Sequence, residues 1–592
     1  MARAVKQWHL LPADPAAANR LARAAQISPV VAQLLINRDI REPATARRFL
    51  DAPLSDLLPP ACLPGVDEAA ERIVKAISAK RKICIYGDYD VDGVTGTAIL
   101  YRLFKELGAD VQYHTPSRLS EGYGLHSDRL RELAGQGVSL VLSVDCGIAS
   151  ISEAKLAHDL GIELIVTDHH EPKMGQDGPL LPSAAVVVHP RLPGSAYPYG
   201  DLSGAGVAFK LAWAVAQRAS GSERVQPALR EILLDGIGLA ALGLVADVVS
   251  LREENRIFVR HGLERIRKQP LIGLEALIRA ARIKIDRGVT SEDVGYRLAP
   301  RLNAAGRLGC ARLAVELLTT ASLTRCNQIA EHLERQNNER QARERRYTQH
   351  AKEMVEYEFR NDPAIVVGSP DWHPGIIGIV ASRLADHFGK PALVVALPTD
   401  KSSIATGSGR SIPGFPLHQA LQACDELLEG HGGHAAAAGF KLKPEFLPAL
   451  RDRLNAYVAK YFPSGAPLPR LVLDTEIPLS ALTPGLMNEL DKLEPYGAGN
   501  PRPKFLAVGL RVEAARLIGS GETQKHVDFR VRQGDTVLRC VAWNMADRVE
   551  ELQTSNAPLS LAFSPKINEW NGQRKIELQV LDFAYGNSPP LV

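Results

Sequence analysis

The segment Tyr86-Gly87-Asp88-Tyr89-Asp90-Val91-Asp92-Gly93 sets three aspartates at alternate positions directly after an apolar run, Ile83-Cys84-Ile85-Tyr86. Side chains alternate with a period of two along an extended chain, so Asp88, Asp90 and Asp92 are expected to point alike as a strand ends. Clustered carboxylates are the oxygen donors that hard divalent cations such as Mg²⁺ and Mn²⁺ take. Two further apolar runs end in a similar way, Leu140 to Val144 in Asp145-Cys146-Gly147, and Glu163 to Thr167 in Asp168-His169-His170. A fourth acid, Asp247, lies inside Gly243-Leu244-Val245-Ala246-Asp247-Val248-Val249, where an unpaired charge is expensive.

Taken singly, each feature has a bland reading. Asp-rich stretches after strands serve as turns and helix caps, and a lone His pair is more often structural than catalytic. The D-x-D-x-D-G spelling also resembles a calcium loop, but such a loop follows a helix and ends in a glutamate. Here a strand precedes the loop, and Ile99-Leu100 follow in a helix. Taken together, so many carboxylates buried without cations would cost several kcal/mol of repulsion and desolvation. Metal ions are the natural counter-charge.

These residues need a frame that gathers distant strand ends. The run 83–86 reads as a strand followed by an amphipathic helix over 95–107, and 140–144 as a strand followed by a helix near 152–160 and the strand 163–167. Alternating strands and helices predict a parallel, doubly wound sheet that presents its ligands at the carboxyl edge. From about Gly204 to Thr320 the pattern turns helical, with Leu239 to Val245 too apolar for anything but a buried element. Residues 322–360 lack Pro and Gly, are rich in Glu, Arg, Gln and Asn, and predict one long solvated helix linking two domains.

A second α/β unit starts at Ala364 to Gly368, continues through a helix near 376–387 and returns as the strand 392–395. The stretch Phe462 to Pro469 reads as a linker. Beyond it, runs such as Val527 to Val531 and Lys575 to Val580 suggest a small β-barrel. The expected organisation is an N-terminal extension over 1–65, a first α/β domain over 66–321, the long helix over 322–360, a second α/β domain over 361–462 and a terminal β-domain over 463–592.

Composition narrows the class. The chain has 592 residues, enough for several cores, and 45% of them are hydrophobic. No run approaches the length of a membrane span, and the amino terminus lacks the apolar core of a signal peptide, so a cytoplasmic location is expected. Seven scattered cysteines without a C-x-x-C pair argue against a zinc ribbon or a disulfide framework. With 70 Lys+Arg against 67 Asp+Glu, any polyanion site must be a local patch.

Two such patches stand out. Gly407-Ser408-Gly409-Arg410-Ser411 offers backbone N–H groups, hydroxyls and a guanidinium fork to a phosphate, although Gly/Ser loops are more often plain turns. Gly432-Gly433-His434 adds a second small-residue loop with a donor. Pro300-Arg301-Leu302-Asn303-Ala304-Ala305-Gly306-Arg307 fits surface charge or a cleft equally well.

At Asp88/Asp90/Asp92, Asp145, Asp168-His169-His170 and Asp247, in that order, the sequence resembles the four metal-site motifs of the DHH phosphoesterase superfamily. His431-Gly432-Gly433-His434 through Gly439 resembles the signature of the associated DHHA1 domain. The likeness runs over nearly the whole chain, and the terminal barrel matches the OB-type domain of the superfamily's single-stranded-DNA exonucleases. One departure is Tyr86, where many members carry a histidine, which puts the coordination by Asp88 in question.

The resemblance implies an α/β fold, with a DHH-type parallel-sheet domain and a smaller DHHA1 domain joined by a long helix, plus the OB-type barrel. It implies two Mn²⁺ or Mg²⁺ ions, bridged by Asp145, with Asp88 and Asp90 on one and Asp92, His169 and Asp247 on the other. Asp145, Asp168 and His170 would form the catalytic group, His170 facing the phosphate. Ser408, Arg410, Gly433 and His434 would hold a terminal 5′-phosphate reached also by Arg118, while Asn303 and Arg307 would contact DNA phosphates.

The implied activity is a 5′→3′ exonuclease specific for single-stranded DNA, releasing 5′-mononucleotides in repair and recombination. Its implied partners are single-stranded DNA, single-stranded-DNA-binding protein and a RecQ-type helicase, and its implied state is a monomer. A phosphodiesterase for short oligoribonucleotides or cyclic dinucleotides is an alternative that the long N-terminal part and the barrel oppose. A non-catalytic DNA-binding scaffold is another, opposed by the complete acid and imidazole set.

Overall fold

Ile83-Cys84-Ile85-Tyr86-Gly87 is buried at every residue, and as such an apolar run predicts it forms a strand covered on both faces, β1 (Ile83–Gly87). After a short turn the chain enters α1 (Val91–Glu106) and then β2 (Val111–His114). Next come β3 (Leu140–Val144), β4 (Glu163–Thr167) and β5 (Val186–Val188). The five strands form one sheet, all parallel, in the order β2-β1-β3-β4-β5. In that order the winding reverses between β1 and β3, and the crevice outside their carboxyl ends is where such sheets bind ligands. Asp88 follows β1 and Asp145 follows β3.

The computed structural model describes residues 6–591 apart from 118–120, 177, 286–287, 308–310, 401–402, 520–523, 556, 571 and 587–590. They divide into two compact units: Leu54–Ala466 with Gly497–Gly499, and Met1–Pro53 with Pro467–Tyr496 and Asn500–Val592.

In the first unit the sheet is backed by α1 and α2 (Gly204–Ser220), and α3 (Pro227–Ala246) packs on both of these helices. Small residues permit this: a Cβ on Gly96 of α1 would meet Ala205, Ala208 and Val144. Further along come α4 (Ala299–Arg307) and the long α5 (Leu323–Glu358). The sequence pattern predicts a solvated α5, but Cys326, Ala330, Leu333, Asn337, Arg340, Glu344, Tyr347, Ala351 and Val355 form a buried stripe. Their spacing of three and four is that of an amphipathic helix. Its centre is polar but paired, since Arg340 binds Asn337 and Glu344, and Arg383 reaches Glu344.

The second sheet of this unit comprises β6 (Ile365–Ser369), β7 (Ala392–Ala396), β8 (Ala405–Arg410), β9 (Gly430–Gly433) and β10 (Ala437–Leu442), with α6 (Pro374–Phe388) between β6 and β7. The strand order is β9-β10-β8-β7-β6, and only the β6–β7 pair is parallel.

In the second unit five strands close on themselves: β11 (Phe505–Ile518), β12 (His526–Gln533), β13 (Thr536–Ala542), β14 (Leu559–Trp570) and β15 (Gln573–Tyr585). They run β11-β12-β13-β15-β14, and β14 pairs back onto β11, completing a barrel without an open edge. The segment read from sequence as an N-terminal extension packs into this unit. Leu21, Val31, Leu34 and Phe49 share a core with Phe505, Phe529, Phe563 and Phe583, and the Trp8 indole donates to Asp582.

Candidate metal centre

Alternation along a strand does not gather Asp88, Asp90 and Asp92, contrary to expectation. β1 ends at Gly87, Asp90 is the N-cap of α1, and Asp92 lies in its first turn. The Asp90 carboxylate accepts from the N–H groups of Asp92 and Gly93, so the helix begins four residues earlier than its apolar pattern suggested. The chain turns inward at the helix start and brings all three acids to the β1/β3 crevice.

Asp92 is gripped by the start of α2: Ser203 Oγ and the Ala205 N–H donate to Oδ1, and the Gly204 N–H donates to Oδ2 at 2.6 Å. Backbone N–H groups at a helix start favour a carboxylate there. Burial pushes the Asp92 carboxyl up to about 6, with the Asp90 charge adding to the rise and the bonds from Ser203, Ala205 and Gly204 opposing it. Asp145 is also buried, on a backbone of φ +63°, and Gly204 lies directly against its side chain. Burial first, then the charges of Asp92, Asp90, Asp88 and Asp247, raise it well above the ordinary carboxylate range.

Asp247 is the C-cap of α3 rather than part of the apolar run itself, and its side chain is a quarter exposed. Burial and the charges of Asp92 and Asp90 push it up to about 8.

His169 Nε2 lies 3.2 Å from Asp145 Oδ1, 3.6 Å from Asp247 Oδ2 and 3.8 Å from Asp92 Oδ2. Burial, then neighbouring His170, hold the His169 ring down at about 3, so it is neutral and offers a lone pair. Among the described residues neither His169 Nε2 nor Asp145 Oδ1 has a hydrogen-bond partner, although both are buried. Orphaned buried acceptors aimed at one point fit a cation. Among the described residues three groups bring their donor atoms within 4.8 Å of one another: Asp88/Asp90/Asp145, Asp92/His169/Asp247 and Asp145/His169/His170. Asp145 and His169 each belong to two of them.

Asp168 is fully buried and in none of these groups. Its Oδ2 accepts from the Ile148 N–H, and its Oδ1 from the N–H groups of His169 and His170 and from His170 Nδ1 at 2.8 Å. Burial acts to raise this carboxyl, but the bond and charge of His170 hold it below its ordinary value. Burial likewise acts to lower His170, but Asp168 wins and the ring rises to about 9. Tyr123 completes the arrangement: its hydroxyl donates to the Asp145 carbonyl at 3.2 Å and lies 3.0 Å from His170 Nδ1. With Nδ1 engaged by both neighbours, His170 has Nε2 left for other work.

Tyr86 takes no part in the donor groups. It is fully buried in the core beside Leu130 and Val141, with the His114 ring 4.8 Å from its own. Sequence reasoning missed Tyr123, for which no motif signals, and Ser203-Gly204-Ala205. The latter carries a legible sign, a serine before a small-residue helix start.

In the second sheet, Ser408 and Arg410 share one face of β8 and turn toward α6, where a Cβ on Gly378 would lie 3.0 Å from Ser408 Oγ and 3.3 Å from Arg410 Nη2. Arg410 Nη1 lies 3.3 Å from Ser408 Oγ. Ser408 pairs with Gly439, which pairs with Gly432, while Arg410 pairs with Ala437, whose carbonyl accepts from the His434 N–H. The two segments singled out in the sequence as loops are thus largely strand, on β8 and β9, each paired with β10, which runs between them, with Gly433 and His434 exposed. Asn303 is half-buried on α4, and Gly306 of that helix sits against the Tyr89 carbonyl between Asp88 and Asp90. Arg118 and the Arg307 side chain lie outside the described residues.

Profiles of known families match three stretches: the DHH family, N-terminal domain over residues 82–237, the DHHA1 domain over 361–460 and the RecJ OB domain over 473–582. The single-stranded-DNA-specific exonuclease RecJ of Bacillus subtilis is 38% identical over 578 residues, covering 98% of this chain and 71% of that protein. The crystal structure of RecJ from Thermus thermophilus in complex with Mn²⁺ superposes with a TM-score of 0.81 at 33% identity, over 98% of this chain and 80% of that one. The corresponding Mg²⁺ complex gives 0.75 at 32% identity, over 98% and 79%.

Proposed function

Because the chain belongs to the RecJ family, we propose that it is a metal-dependent exonuclease specific for single-stranded DNA, working from the 5′ end and releasing 5′-mononucleotides. The observation that carries the chemical reading is the sharing of Asp145 and His169 between adjoining donor groups at one sheet edge. Asp88 and Asp90 would hold one divalent cation, Mn²⁺ or Mg²⁺, and Asp92, His169 and Asp247 a second, with Asp145, grouped with Asp88 and Asp90 and again with His169, contributing to both. When bound, such a pair supplies an activated water and neutralises charge on the scissile phosphate and the leaving oxygen.

The chain's own residues do the rest. His170, held charged at neutral pH by Asp168, donates from Nε2 to a phosphate oxygen. Asp168 is a positioning residue, since its oxygens are occupied by loop N–H groups and the His170 ring. Ser408, Arg410, Gly433 and His434 hold the terminal 5′-phosphate, joined by Arg118, and this fixes which end enters. Asn303 and Arg307 contact the strand's phosphates.

The reading extends to a cytoplasmic monomer that meets single-stranded-DNA-binding protein and a RecQ-type helicase. Among the described residues no helix is long and apolar enough to cross a membrane. Pull-down of each partner and light scattering test those parts. The activity is tested by digesting strands labelled at either end, alone and annealed, with Mn²⁺, Mg²⁺ or chelator. Early release of the 5′ label from the single strand only, abolished by chelator, is expected; early release of the 3′ label or equal attack on duplex contradicts it.

A further inference from the structure

Tyr296 is 81% exposed. Exposed aromatics scattered over a surface are ordinary, so only its position and its footing give that number meaning. Its neighbour Gly295 sits against the end of α3, where a Cβ would lie 3.9 Å from Val245 Cγ1, and Val245 precedes Asp247 by two residues. The helical run that carries Tyr296 continues without a break into α4, whose Gly306 lies on the Tyr89 carbonyl between Asp88 and Asp90. One rod therefore follows the rim of the metal centre from the Asp247 side to the Asp88 side, and Tyr296 stands at the Asp247 end.

The footing is rigid. Residues Val294–Leu298 form a π-helical turn, a form that is rare and concentrates at functional sites. Thr290 caps the run with a reciprocal bond to Asp293. Arg297 binds Asp293 at 3.1 Å and the Ala281 carbonyl at 2.7 Å, and Arg301 donates to the Arg297 carbonyl while pairing with Glu334. Val294 and Leu298 are fully buried on either side of Tyr296. On the α3 side, Val248 follows Asp247 with φ +60° and is 69% exposed. A β-branched residue there is strained, and strain of that kind gathers at binding sites. Two apolar side chains are thus held outward beside a ligand-bearing helix end.

We propose that Tyr296 is a stacking platform for a nucleobase of the strand whose backbone enters the metal centre. The inference rests on the proposed activity and adds a substrate-binding residue to it. Unpaired bases are free to leave the strand and lie on an aromatic face, whereas paired bases remain stacked inside the duplex. The platform therefore contributes to the preference for single strands without reading sequence.

The test uses the full chain and oligonucleotides bearing one abasic site, moved nucleotide by nucleotide from the 5′ end. In the wild type, one position is expected to raise KM by about 5- to 150-fold, the range for losing one stacked base. In Tyr296→Ala the KM for intact DNA is raised by a similar factor and the abasic scan is flat at that position; Tyr296→Phe keeps the wild-type profile and Tyr296→Leu does not. Mn²⁺ affinity, unchanged in every variant, verifies that the centre is intact. Coincident scans for wild type and Tyr296→Ala overturn the platform while leaving the exonuclease reading untouched. A wild-type protein that degrades no single strands overturns both.

Discussion

Gly204→Ala should damage the metal centre without replacing a ligand. A Cβ at position 204 would lie 2.5 Å from both Cβ and Oδ1 of Asp145 and 2.7 Å from its Cγ. Carbon atoms in ordinary contact sit about 3.5–4.0 Å apart, so about 1 Å of relief is needed. Asp145 has little room to provide it, because its N–H donates to the Thr167 carbonyl and its own carbonyl accepts from Tyr123. Either the Asp145 carboxylate rotates away or α2 withdraws, and withdrawal loosens the grip of the Gly204 and Ala205 N–H groups on Asp92.

Overpacking of this kind costs about 1–3 kcal/mol, and the helix-propensity gain of Ala over Gly offsets at most about 1 kcal/mol of it. Misplacing a reacting group by about 1 Å costs about 100-fold in rate, and disturbing a group that orients a metal ligand costs about 10- to 100-fold in metal affinity. The assay pairs kcat on single-stranded DNA at saturating Mn²⁺ with Mn²⁺ titration calorimetry. Gly135→Ala, where a Cβ meets nothing within 4 Å, is the neutral control. Wild-type kcat and Mn²⁺ affinity in Gly204→Ala would refute the packing described at α2.

Tyr123→Phe removes the hydroxyl shared between His170 and the Asp145 carbonyl, and should lower kcat by about 10-fold with KM unchanged; a change confined to KM would place Tyr123 on the substrate instead. Arg410→Ala should erase the preference for 5′-phosphorylated over 5′-hydroxyl ends, measured as a kcat/KM ratio, and an unchanged ratio would exclude Arg410 from binding the 5′-phosphate. In the metal-free protein Asp92 and Asp247 keep protons up to about pH 6 and about pH 8, against an ordinary value of 3.8. Over that window the native state binds more protons than the unfolded chain, so metal-free stability falls as pH rises. Mn²⁺ must displace those protons, and should therefore raise the Tm more at pH 8 than at pH 5.5; equal shifts at both would contradict the crowded-carboxylate account.

Much of this centre is legible in the sequence because its acids and imidazoles sit just past apolar strands, and strand ends are local features. The strands at 140–144 and 163–167 fall where their apolar runs lie, and a parallel sheet then brings Asp145 and His169 to one edge. What local pattern misreads is the turn after β1. Asp90 satisfies the first free N–H groups of α1, and that capping bond, rather than strand alternation, aims Asp92 inward. Nor does pattern reveal the buried side of α5, because Asn337, Arg340 and Glu344 look solvated until their mutual bonds are seen. The packing of residues 1–53 with the barrel, and the approach of Tyr123 to His170, depend on contacts between residues far apart in the chain.

Anomalous diffraction from a crystal soaked in Mn²⁺ tests the central claim most directly. Two peaks about 3.5–4 Å apart are expected, one bordered by Asp88 and Asp90, the other by Asp92, His169 and Asp247, with Asp145 touching both. A single peak, or peaks that leave Asp145 uncoordinated, would contradict a shared two-ion centre at this sheet edge.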